Sequence, residues 1–114
     1  MAASIKTESF GTLQDGRSAA LFTLSNSNGI TVKITDYGAT AVSMLVPDKE
    51  GLLRDIILGF DDVSGYEKTK LYLGATIGRY AGQINDGHFS LGGKTYKLHI
   101  NDHGNTLHGG EFGF

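Results

Sequence analysis

Apolar and polar residues alternate with a period of two along much of the chain, which is the pattern of half-buried β-strands. Two neighbouring runs, Arg17–Leu24 and Ile30–Thr35, are separated by the turn signal Asn28-Gly29. They predict an antiparallel hairpin. One side of the first run carries Ala20, Phe22 and Leu24. The side of the second run that is expected to face the core carries Ile30, Val32 and Ile34.

Further strands are predicted on both sides of this hairpin. The segments are Ser4–Phe10 as a first edge strand, Ala39–Val46 as a third strand and Asp55–Gly59 as a fourth. Phe60–Leu73 lacks a clear period and is predicted to be irregular, with a short helical turn beginning near Asp61.

The clearest local signal is a second hairpin around Gly92-Gly93. A two-residue turn there sets the register of the flanking strands. The predicted opposite pairs are Leu91 with Lys94, Ser90 with Thr95, and Phe89 with Tyr96. In this register Phe89, Tyr96 and Leu98 share one face of the hairpin.

Composition supports an all-β fold in which the chain forms one domain at most. The 114 residues include 17 glycines and one proline, and frequent turn signals between short strands are typical of a sandwich or barrel. The net charge of −2 suggests neither a nucleic acid nor an anionic membrane as a partner, so a neutral small molecule fits better. The chain has no cysteine and no apolar signal segment at its start, so a cytoplasmic location is expected.

Two polar, glycine-rich segments are expected to meet in space. The first is Gly74-Ala-Thr-Ile-Gly-Arg-Tyr-Ala-Gly-Gln-Ile-Asn-Asp-Gly-His-Phe89 and the second is Asn105-Thr-Leu-His-Gly-Gly110. The hairpin within Ser90–Gly104 folds the second segment back beside the first. In this order the two segments resemble the N-terminal portion of the aldose 1-epimerase (galactose mutarotase) family, and the resemblance extends over 30–114.

The resemblance implies a fold and an activity. The fold is a large antiparallel β-sandwich, the galactose mutarotase-like supersandwich, of which residues 1–114 would be one partial domain truncated at its C-terminus. The activity is the interconversion of the α and β anomers of free aldohexoses such as galactose or glucose, by acid/base ring opening and without a cofactor. The family's general base, a glutamate, and its general acid, a histidine, both fall beyond Phe114, so the 114-residue chain is expected to be inactive alone.

The same resemblance implies the candidate site residues. His108 takes the position of the family histidine that contacts the sugar and supports the acid step. Gly82 and Gln83 take the positions of a sugar-binding Asn-Arg pair, and the chain departs from the family at both. Arg79 is retained from the motif as a further candidate for substrate binding. Without the motif, a lone histidine in a glycine-rich turn is more often a solvated loop residue.

Structural interpretations of the same residues remain open. Arg79 is expected to pair with a carboxylate, Asp86 or Asp36, rather than with a ligand. Asn105 is expected to stabilise its turn. Tyr80, inside the motif, is the one tyrosine expected near the site.

Other functions remain open as well. A metal site is the alternative for the close-spaced set His99, Asp102, His103 and His108, but a loop-forming segment disfavours it. The loss of the Asn-Arg pair favours a non-catalytic carbohydrate-binding or interaction module. A sugar-phosphate epimerase relative would need more basic residues near the site than Arg79 alone.

Overall fold

The computed structural model describes residues 2–114. It consists mainly of antiparallel strands, which confirms the all-β class. The chain divides into two compact units, the first ending at Thr76 and the second comprising Ile77–Phe114.

The first unit contains a meander of five antiparallel strands in sequence order. The strands are β1 (Ser4–Thr12), β2 (Ser18–Ser25), β3 (Thr31–Thr35), β4 (Thr40–Pro47) and β5 (Leu53–Asp55). The predicted strands of the first hairpin, the edge strand and the third strand are therefore confirmed.

The predicted strand Asp55–Gly59 is wrong, because β5 ends at Asp55. The Asp55 carboxylate accepts hydrogen bonds from the backbone N–H groups of Met44 (3.0 Å) and Ile57 (3.2 Å). A side chain that bonds to nearby backbone competes with the strand ladder. The apolar residues after Asp55 therefore continue as irregular chain.

A short helix, α1 (Val63–Lys68), covers one end of this sheet. It begins at Asp62, whose carboxylate accepts from the N–H groups of Ser64 and Gly65 as an N-cap residue does. α1 has six residues, and within residues 2–114 no helix is both long and apolar enough to cross a membrane. The core between α1 and the sheet consists of Phe10, Leu13, Ala19, Leu21, Val42, Val63 and Tyr66.

The prediction that Ile30, Val32 and Ile34 face the core is wrong. All three are half-buried, and the covered face of the sheet is the opposite one, where Leu21 lies across from Thr35. The reason is that α1 packs on the face that carries Ala19 and Leu21. β1 and β4 each contain a register shift, which leaves Phe10 and Val42 without an opposite residue. Such bulges redirect side chains, and here both extra residues are in the core.

The other face of the sheet is apolar and partly exposed. Ile5, Leu24, Val32 and Met44 lie directly opposite one another across four strands. Ile5 is 72% exposed and Leu24 37%. An antiparallel sheet that is solvated on one face normally carries polar residues there. We call this row of four the apolar row.

The second unit contains two small sheets. The elements are β6 (Gln83–Ile84), a 3₁₀ turn (Asn85–Gly87), β7 (His88–Leu91), β8 (Lys94–Lys97) and β9 (Thr106–Leu107). β7 and β8 form the predicted hairpin with the predicted register, including the pair Phe89 and Tyr96. The rings of that pair stack with centroids 5.1 Å apart.

Candidate functional site

The two motif segments meet through the pairing of β6 with β9. Gln83 lies opposite Leu107 in this ladder. One step further along, the N–H of His108 donates to the carbonyl oxygen of Gly82 at 2.9 Å. The expectation that the two segments lie side by side is confirmed, and it brings Gly82, Gln83 and His108 together.

Gly82 also holds the imidazole ring of His108. The N–H of Gly82 donates to Nδ1 of His108 at 3.1 Å. Because Nδ1 is the acceptor, the single proton of the neutral imidazole is on Nε2. The ring therefore has a defined tautomer and a defined orientation, with an N–H donor on the side away from Gly82.

Backbone geometry explains the glycines that follow His108. His108 has φ of 51° and Gly109 has φ of 95°, a region that favours glycine. A Cβ on Gly109 would lie 2.9 Å from the carbonyl oxygen of Gly78. The absence of a side chain thus permits close packing of two backbone segments within the second unit.

Asn101 fixes the loop that carries His108. Its Nδ2 donates to the carbonyl oxygens of Leu107 and Gly110, each at 3.0 Å, and its Oδ1 accepts from the N–H of Leu107 at 2.7 Å. This role of Asn101 was not predicted from the sequence. Asparagine in a polar loop often bonds to nearby backbone, but that signal does not reveal which backbone groups it bonds.

Gln83 is joined to the same loop through Asp102. Its Nε2 donates to Oδ2 of Asp102 at 2.7 Å, while Nδ1 of His103 lies 2.8 Å from Oδ1. The hydrogen bonds from His103 and then from Gln83 lower the pKa of the Asp102 carboxyl, and protonation of His103 or His108 would act in the same direction. Asp102 is therefore a carboxylate close to both candidate sugar-contacting side chains.

Asn105 stabilises its turn, as predicted. Its Oδ1 accepts from the N–H of Asp86 at 3.1 Å. Its backbone N–H donates to the carbonyl oxygen of Asp102, and its carbonyl oxygen accepts from the N–H of Asp102. This side chain links the 3₁₀ turn of the first motif to the start of the second.

Arg79 is not among the residues that contact Gly82, Gln83 or His108 in the bonds described above. It is exposed, and the predicted ion pair with Asp86 is not formed among the residues that the structure describes. Arg79 instead lines a neighbouring cavity of about 520 Å³. The aromatic members of its lining are Tyr80, Phe89, Phe112 and Phe114.

The histidines do not gather around one point. His88 and His99 are both exposed, and Nδ1 of His88 lies 3.2 Å from the carbonyl oxygen of Asp86. Within residues 2–114 no three histidine, aspartate or glutamate side chains are close enough to hold a metal ion together.

Comparison with known proteins places this geometry in a family. A model of the family described as aldose 1-epimerase matches residues 20–113. Galactose mutarotase of Bos taurus is 40% identical over 111 residues, which is 97% of this chain and 32% of the relative. Aldose 1-epimerase of Haemophilus influenzae is 43% identical over 97 residues, which is 85% of this chain and 28% of the relative.

Solved structures show the same relationship. The galactose 1-epimerase of Lactobacillus acidophilus matches with a TM-score of 0.80 and 30% identity, over 96% of this chain and 31% of that one. The chain thus spans about a third of the length of the relatives that it matches. Its antiparallel β-fold is that of the epimerases, and the chain belongs to the aldose 1-epimerase family.

Proposed function

We propose that this chain provides the first sugar-contacting elements of an aldose 1-epimerase that interconverts the α and β anomers of free aldohexoses, galactose or glucose. The supporting observation is the pairing of Gly82 with His108, which holds the imidazole in one tautomer at the position of the family's sugar-contacting histidine. In this reaction a base removes the proton from the hydroxyl on C1 while an acid protonates the ring oxygen. The ring opens, C1–C2 rotates and the ring closes again.

In this proposal His108 acts as a donor and not as the main acid. Its Nε2–H would bind a sugar oxygen and stabilise the negative charge that develops when the ring opens. The family resemblance implies that the glutamate base and the histidine acid lie beyond residue 114. We therefore expect the 114-residue polypeptide to bind an aldose without accelerating its mutarotation.

A second function is favoured by a different observation. Gly82 has no side chain, and the amide nitrogen of Gln83 already donates to Asp102. The site therefore offers fewer donors than the Asn-Arg pair it replaces. This favours a non-catalytic carbohydrate-binding or interaction module.

One pair of measurements tests the first proposal, and activity of the intact protein separates it from the second. The ¹⁵N-labelled polypeptide is titrated with galactose, glucose and the open-chain polyol galactitol, and the optical rotation of fresh α-galactose is followed with and without the protein. We expect saturable shifts of the Gly82, Gln83 and His108 amides with the two aldoses but not with galactitol. The expected dissociation constant is millimolar, which corresponds to a binding free energy of about −4 kcal/mol.

Each outcome has a defined meaning. Absence of saturable shifts at these amides contradicts the sugar site. Acceleration of mutarotation that disappears when the protein is unfolded contradicts the expectation of inactivity. If the intact protein isolated from its source binds aldoses but does not interconvert them, it is the binding module.

We also propose that this protein is cytoplasmic, which cell fractionation with an antibody against 74–93 would test.

A further inference from the structure

The turn between β2 and β3 contains an asparagine that is followed by glycine. Asn28 is exposed, and its side chain makes no hydrogen bond within residues 2–114. A different side chain closes the turn, because Oδ1 of Asn26 accepts from the N–H groups of Asn28 and Ile30, each at 3.0 Å. The side-chain amide of Asn28 can therefore rotate without breaking a bond.

The other four asparagines of the chain are held by their side chains. Each side chain takes part in at least one hydrogen bond of 2.7 to 3.1 Å, and none of the four residues is followed by glycine. They are Asn26, Asn85, Asn101 and Asn105. Asn28 thus differs from them in both respects.

The backbone nitrogen of Gly29 is also loosely held. Its N–H donates to the carbonyl oxygen of Asn26 at 3.4 Å, which is longer than the usual range for such a bond. Gly29 has no side chain that could hinder approach to its nitrogen, and nothing lies within 4 Å of the place a Cβ would take. Asn28 and Gly29 line a surface groove of about 390 Å³, so water reaches both residues.

We propose that Asn28 is a site of intramolecular deamidation, a covalent modification whose only co-reactant is water. Hydroxide removes the proton of the Gly29 N–H, and this nitrogen attacks Cγ of Asn28. The new C–N bond forms, the bond from Cγ to the side-chain nitrogen breaks, and ammonia leaves with a proton taken from water. Water then opens the resulting cyclic imide at one of its two carbonyl groups, which gives aspartate or isoaspartate.

The two products are expected to affect the turn differently. Aspartate has the shape of asparagine, and the Asn28 side chain has no hydrogen bond to lose. Isoaspartate routes the backbone through Cγ and so adds one carbon to the main chain before Gly29. The N–H of Ile30 then no longer reaches Oδ1 of Asn26, and the pairing of β2 with β3 weakens next to the turn.

Peptide mapping by mass spectrometry tests the proposal on the folded chain after incubation at pH 8. We expect a mass gain of about 1 Da that appears first in the peptide containing Asn28, and we expect isoaspartate among the products. At the other four asparagines the gain is expected to be at least about fivefold slower, because a side-chain hydrogen bond must break first.

A synthetic peptide of residues 24–32 separates the effect of the fold from that of the sequence. We expect Asn28 to react at a similar rate in the peptide and in the folded chain, because the fold neither bonds nor covers its side chain. Peptides around the other four asparagines are expected to react faster than the same residues in the folded chain. Equal protection of all five asparagines by the fold overturns the inference.

Two variants complete the test. Asn28→Gln keeps the amide but closes a larger imide ring more slowly, so no mass gain is expected in this turn; glutamine fits there because Asn28 does not have a positive φ. Asn28→Asp carries the charge of the product from the start and is expected to keep the Ile30 amide resonance in place, whereas the isoaspartate chain shifts it. Earlier reaction at another asparagine, products without isoaspartate, or an isoaspartate chain with an unshifted Ile30 amide would overturn the inference.

Discussion

Gly82 and His108 exchange two hydrogen bonds. The backbone N–H of His108 donates to the Gly82 carbonyl at 2.9 Å, and the Gly82 N–H donates to Nδ1 of the His108 ring at 3.1 Å. Strand pairing and ring orientation are thereby coupled, because the residue that pairs with His108 also selects its tautomer.

Two substitutions of His108 are expected to separate these roles. His108→Asn retains an acceptor near the position of Nδ1 and tolerates the positive φ, but it removes Nε2. We expect the Gly82 amide resonance to stay near its position, the free energy of unfolding to change by less than about 1 kcal/mol, and galactose affinity to fall about tenfold. In His108→Gln the side-chain amide lies near the position of Nε2, and the acceptor for the N–H of Gly82 is lost.

For His108→Gln we expect a loss of about 1 kcal/mol in stability, measured by urea unfolding, and a large shift of the Gly82 amide. Galactose binding by both variants at the affinity of the unmodified chain would show that Nε2 does not contact the sugar.

Gly74 is expected to be intolerant of any side chain. Its carbonyl accepts from the N–H of Ala41 at 2.8 Å, its φ is 62°, and a Cβ there would collide with the carbonyl oxygen of Ala41. We expect Gly74→Ala to lower the free energy of unfolding by roughly 3 kcal/mol or more, since the backbone must move. Urea unfolding followed by the amide resonances of β2 and β4 measures this.

The matched control is Gly29→Ala. Gly29 also has positive φ, 87°, but nothing lies within 4 Å of a Cβ there. The expected loss is only about 1 to 2 kcal/mol, the cost of the backbone conformation. Equal losses in the two variants would mean that the contact with Ala41 does not matter.

Asp55 is expected to make the first unit less stable in acid. The hydrogen bond from the Ser43 hydroxyl at 2.6 Å, followed by those from Met44 and Ile57, lowers the pKa of the Asp55 carboxyl. The unfolded chain, with an ordinary pKa of about 3.9, therefore binds this proton at a higher pH than the folded chain does. Stability from this group is present above about pH 4 and is lost as the pH falls through the lower folded pKa.

Unfolding by urea between pH 6 and pH 2.5 checks this expectation. In Asp55→Asn the fall in stability with decreasing pH should be smaller than in the unmodified chain. An identical pH profile in the variant would show that other carboxylates carry the acid sensitivity.

The apolar row is expected to cause self-association. Val32 lies between Leu24 and Met44 in this row, so a lysine there introduces a charge at its centre. We expect the unmodified chain to form larger species as its concentration rises, and Val32→Lys to stay monomeric in light scattering after size-exclusion chromatography. Ser27→Lys, which adds the same charge in an exposed turn, should associate like the unmodified chain.

Structure encoded by neighbouring residues was predictable. The Gly92-Gly93 turn determines the register of its hairpin, because a two-residue loop leaves one way to pair the flanking strands. The proximity of Gly82 and His108 followed from that hairpin together with the family motif.

Features that depend on distant residues were not predictable. Both sides of β2 are apolar, so alternation did not show which one α1 would cover, nor did it show where the bulges at Phe10 and Val42 fall. The pairing of Gln83 with Asp102 depends on the conformation of a loop. Polar residues in that loop indicate a turn but not the partner of a side chain 19 positions away.

Asn101 ties the backbone around His108 to nearby parts of the chain. The bonds of its side chain described above reach backbone groups six to nine positions away, so these contacts are local in sequence. Local contacts form at little cost in chain entropy. The backbone conformation of this loop is therefore encoded mainly by a short stretch of sequence, whereas the orientation of the His108 ring also requires Gly82, 26 positions away.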